Sequence, residues 1–139
     1  MAFDEFHFHY RRDLPLWERI GHPLDTLSVF ICLILASQSS PSASHLLAYT
    51  ILALFSCVLI TKDEFVHTRL CSAGENWLHS ILFVLHPICL LATAVIWEEG
   101  TAQKVLTAQT GVLGLYMIYQ ITYWNFIWKP KSTPKSTTA

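Results

Sequence analysis

Asp63 and His67 stand four residues apart, and Glu75 and His79 repeat that spacing twelve residues later. Residues four apart on a helix share a face, so each pair would set a carboxylate beside an imidazole. His86 follows seven residues after His79, on the same helical line and about 10 Å further along the axis, with Cys89 close to it. Nearer the N-terminus, His22 and Asp25 lie three apart. Imidazole and carboxylate together suit zinc, iron or manganese. Neighbouring helices of a bundle that each contribute such groups build dinuclear sites, although there the usual pair is spaced by three, not four. His22, Asp25, Asp63, His67, Glu75, His79 and His86 are therefore the candidate ligands for one or two divalent transition-metal ions. Seven groups exceed what one ion needs, so some would orient ligating imidazoles from behind. Glu64, next to Asp63, and Cys71, between the two pairs, are candidates for a catalytic base or a redox group. A metal with open positions would activate water or oxygen.

Those residues need elements to hold them, and the composition says which. Of 139 residues, 53% are hydrophobic and 14% are charged, with a formal net charge of -1. One domain suits that length. So apolar a chain, with no basic face, disfavours nucleic-acid binding. Four apolar runs approach the 20 or so residues that cross a bilayer: about 23–37, 44–61, 76–97 and 105–128. Backbone groups in lipid must pair internally, so these runs should be helices. The expected fold is all-α, an antiparallel bundle of four transmembrane helices forming one domain over residues 1–128. The polar turns SQSSPSAS and EEGTAQ fit tight helical hairpins. The tail 129–139 is polar and proline-containing and should be disordered. No signal-peptide pattern opens the chain.

Four spans put the N-terminus, the middle loop and the C-terminus on one side. Arg11, Arg12, Arg19, Lys62, Arg69, Lys129, Lys131 and Lys135 fall there, against Lys104 alone opposite. That bias places both termini in the cytoplasm of a plasma or inner membrane. Trp77, Tyr119, Tyr123, Trp124 and Trp128 fall at the same level, as interfacial rings do, with Trp97 at the opposite interface. Within 1–21, Asp13 can cap an interfacial helix carrying Leu16, Trp17 and Ile20, which should break at Gly21 before the first span starts at Pro23. Cys32, Cys57 and Cys89 sit in apolar runs and read as small apolar filler. Gly111 and Gly114 would permit close helix contact along the fourth span, including contact with a second copy.

Six of the seven histidines fall on the cytoplasmic side or in the cytoplasmic half of a span. His86 has no solvent reason to be polar. The expected function is a metal-dependent membrane enzyme, an oxidoreductase or hydrolase, acting on a lipid-like substrate that enters from the bilayer. Two alternatives compete. His22 and His86 could ligate a haem between facing helices, which leaves the acids unemployed. Otherwise the polar residues are solvated or packed, and the chain is a small membrane scaffold or subunit. Ion transport would need polar residues along a whole span, and apart from Gln109 and Gln120 in the fourth the outer halves of the spans are nearly free of them. The short histidine boxes of the histidine-rich membrane desaturases and hydroxylases, HxxxH and HxxHH, are absent.

Overall fold

The computed structural model describes residues 16–64 and 72–128, Asp63 by its backbone alone. Among them there is helix and no strand. Helix α1 runs Leu16–Gln38, α2 Ala43–Leu59, α3 Ala73–Glu99 and α4 Gln103–Thr122. Three of the four are long and apolar enough to cross a bilayer: α1, α3, and α2 taken through to Lys62. The first turns of α4 carry Gln103, Lys104, Thr107, Gln109 and Thr110, and it falls short of that standard.

The helix ends follow from local chemistry. Ser42 caps α2, its hydroxyl accepting from the His45 amide at 3.3 Å. Ser72 caps α3 the same way, accepting from the Glu75 amide at 3.3 Å. Gly100 ends α3 at φ 67°, and its amide bonds the carbonyls of Ile96 and Trp97. That left-handed cap is strained for any residue with a Cβ. Trp97 then donates its indole N–H to the Ser39 carbonyl at 2.8 Å, tying this turn to the α1–α2 turn.

Helix α1 sits centrally. Half of its most apolar window is buried, against 17% for α2 and for α3. It packs along α4 for most of its length and also meets α2 and α3. The outer faces of α2 and α3 are clad in exposed Leu47, Ile51, Phe55, Val84, Ile88 and Leu91. A smaller core of Cys32, Ala36, Tyr49, Leu90, Trp97 and Leu106 lies beneath the two turns.

Three expectations need correction. The break at Gly21 does not occur, because α1 is continuous from Leu16 through Pro23. Glu18, Gly21, Asp25, Ser28, Cys32 and Ala36 are all buried and recur every three or four residues. That single stripe would be rotated apart by a break, and burying it outweighs the donor lost at Pro23. Leu16, Trp17 and Ile20 are exposed, so the surface-lying residues belong to the first turns of α1. Secondly, the end of the second run is not α-helical but tightens into a 3-10 turn, Ile60–Asp63. Thirdly, the end of the fourth run widens into a π-helical stretch, Tyr123–Ile127, closed by the Trp128 amide on the Tyr123 carbonyl at 2.8 Å. Trp124 is buried there, and the Arg19 guanidinium lies 5.6 Å from the Trp128 ring, in cation–π range.

Candidate functional site

Between α1 and α3 lies a cavity of about 290 Å³, closed in part by Ile60 and by Gln109 of α4. His22 and Asp25 line it from α1, and His79 and His86 from α3. It extends to Leu33 on α1 and Thr93 on α3. At 1.5 Å per residue those limits span about 16 Å of α1 and about 21 Å of α3. The walls between are apolar, with Val29, Leu82, Phe83 and Leu90 among them. The site is thus an elongated apolar slot, with an aspartate and two imidazoles near one end and a third imidazole midway.

Asp25 is 2% exposed. Lys62, in the 3-10 turn, donates to both of its carboxylate oxygens, at 2.6 and 2.7 Å. The tightened turn brings that ammonium over the bundle instead of leaving it in solvent. An unpaired carboxylate in this position would be costly, and a bidentate ammonium offsets the loss of water.

A second polar chain crosses the bundle nearby. Ser28 donates to the Asp25 carbonyl at 2.7 Å, its oxygen lies 2.7 Å from that of Ser56, and Ser56 lies 2.9 Å from Nε2 of His86. It links α1, α2 and α3. His86 stands thirteen residues from either end of α3, so the chain meets it at the helix midpoint.

Glu75 and His79 are both buried, one turn apart at the start of α3. Acidic Glu75 in the first turn also complements the helix dipole. Of the seven candidate ligands, then, His22, Asp25, His79 and His86 line one cavity, and Glu75 is buried one turn from His79. The side chain of Asp63, and all of His67 and Cys71, lie outside the described residues. Glu64 is exposed at the end of the 3-10 turn. Among the described residues, no three His, Cys, Asp or Glu side chains are grouped so as to hold a metal ion.

The sequence reading missed Lys62 as the partner of Asp25 and missed Ser28 and Ser56 altogether. The available signal was that each serine is isolated in an apolar run, where a hydroxyl needs a partner across a helix interface. Thr26 and Gln120 are a similar case, both buried, with Oγ1 of Thr26 donating to Oε1 of Gln120 at 2.8 Å.

No protein-family model matches the chain, and neither a curated protein nor a solved structure shows significant similarity to it.

Proposed function

We propose that the chain is a membrane protein of four antiparallel spans with both termini cytoplasmic, and that it takes an apolar or lipid-like molecule into the slot between α1 and α3. The observation that carries this is the cavity itself. It is a long apolar slot whose polar groups, His22, Asp25 and His79, gather at one end. Small-molecule sites have this build, with apolar walls and a few convergent polar groups, and about 290 Å³ is near the lower end of their range. A lipid chain would lie along the walls with its head near the Asp25–Lys62 pair.

In this reading a divalent transition metal, zinc, iron or manganese, sits at the polar end and makes the protein an oxidoreductase or hydrolase. His22 and His79 would be its ligands, with Glu75, Asp63 and His67 completing or supporting the set and Glu64 or Cys71 serving as base. The support is that His22 and Asp25 of α1 and His79 of α3 lie at the same end of the slot, with Glu75 buried one turn from His79. A haem on His22 and His86 is less favoured, because Nε2 of His86 is already bonded to Ser56. Contact with a second copy through α4 falls to Gly111, since Phe30 covers Gly114.

The test is elemental analysis of detergent-purified protein beside a His22→Ala, His79→Ala variant, together with lipid extraction and mass spectrometry of both. The expected result is one or two equivalents of one metal in the wild type, lost in the variant, with a co-purifying lipid in the wild type. Negligible metal in both ends the metal-enzyme reading. Absence of any bound lipid, with no response to added ones, ends the slot reading.

A further inference from the structure

Proton counting along the serine chain places a hydrogen on Nε2 of His86. A hydroxyl has one proton to donate. Ser28 spends its proton on the Asp25 carbonyl, which can only accept. Its oxygen must therefore accept from Ser56, 2.7 Å away. Ser56 has then used its own proton and must accept from His86, so Nε2 of His86 carries the hydrogen. A neutral imidazole protonated at Nε2 has a lone pair at Nδ1. Among the described residues no donor is recorded on Nδ1. His86 lines the slot, and its neighbours there on α3 are Leu82, Phe83, Leu85, Cys89 and Leu90. Pro87 adds to the surplus of acceptors, because it lacks the N–H that would bond the Phe83 carbonyl.

We infer that His86 is a recognition residue for a hydroxyl group: the slot selects an apolar molecule carrying a hydroxyl, which donates to Nδ1 about halfway along α3. This deepens the slot reading and rests on it. An acceptor in an apolar cavity lacks the bonds water would give it, so a ligand that supplies a donor gains over one that does not. Sites built to bond a substrate hydroxyl discriminate against analogues lacking it for this reason. Ser28 and Ser56 are positioning residues that hold the tautomer. Metal ions at the polar end play no part in this contact.

The experiment uses full-length protein in lipid nanodiscs, labelled with [15N]histidine, with the His86 signals assigned by their loss in His86→Gln. The probes are 1-decanol and its methyl ether. The free protein should show His86 with a protonated Nε2 and a bare Nδ1. Decanol should shift the Nδ1 resonance with saturation, and the ether should bind roughly tenfold more weakly, without that shift. In Ser56→Ala the tautomer preference should weaken, and with it the preference for the alcohol. A proton on Nδ1 in the free wild type overturns the inference whether or not the variants fold. Equal binding of alcohol and ether overturns it too while leaving the slot reading intact. Saturable binding of neither probe overturns both.

Discussion

On the side of α1 that meets α4, polar side chains close on partners across the interface. Thr26 bonds Gln120, Thr110 lies 3.3 Å from the Leu33 carbonyl, and Gln103 donates to the carbonyls of Ala36 and Ser37. Phe30 lies directly over Gly114. On the side that meets α3 the helices stand apart around the slot. Polar residues are present there too, but they run toward the cavity: Lys62 to Asp25, and Ser28 through Ser56 to His86. The same residue types thus do two jobs. Where both ends of each bond lie in the protein, they hold two helices together. Where one end lines a cavity, they set a carboxylate and an imidazole in its wall.

The difference can be broken most sharply at Lys62. Replacing it with Met removes the ammonium from a carboxylate that is 2% exposed, and should cost about 3 kcal/mol in a denaturant titration in mixed micelles. Adding Asp25→Leu to that variant should restore most of the loss, because a buried pair contributes little over apolar side chains of similar volume. A Lys62→Met variant as stable as wild type would mean that the pair is solvated and that this end of the slot is open to bulk water.

On the packed side the test is steric. A Cβ on Gly114 would lie 3.1 Å from Cε2 of Phe30, whereas one on Gly111 would meet nothing within 4 Å. Gly114→Ala should therefore lose roughly 1 kcal/mol. Gly111→Ala should be neutral or gain up to about 1 kcal/mol from helix propensity. Phe30→Leu should rescue the first and leave the second unchanged. If both glycine variants lose stability equally, α4 is contacted on its Gly111 face as well, and a second copy is the natural source, which cross-linking would detect.

How much of this was legible in the sequence depends on the distance over which each feature is decided. The helices and their turns are set by neighbours, and the polar turn segments with Pro41 and Gly100 marked them. That His22, Asp25, His79 and His86 face inward was legible because ionisable groups in apolar runs turn away from lipid. The partner of Asp25 was not, because Lys62 counted as one more basic residue on the cytoplasmic side, and only the 3-10 turn brings it inward. Continuity through Gly21 and Pro23 was misread from local propensity, which suggests a break. The buried stripe from Glu18 to Ala36 depends on three other helices, and tertiary burial won. The serines were invisible for a related reason: a lone Ser in an apolar run reads as filler until its partner's helix is in place.

The smallest expected effect compares single hydrogen bonds on the two sides. Thr26→Val keeps the shape of the side chain and removes its bond to Gln120, which has further contacts to fall back on. Hydrogen bonds between helices in membranes contribute about 0.6 kcal/mol on average, so the loss should be close to that. Ser56→Ala removes a hydroxyl bonded to both Ser28 and His86 and leaves the Nε2 hydrogen of His86 without its acceptor, so it should cost more, about 1 kcal/mol. The two should also differ in kind. Saturating decanol should stabilise Thr26→Val as much as wild type, since neither Thr26 nor Gln120 lines the slot, and should stabilise Ser56→Ala less, since its His86 no longer holds one tautomer. Equal stabilisation of both variants would mean that the serine chain is glue like the α4 seam, and that the two sides of α1 differ only in how tightly they are packed.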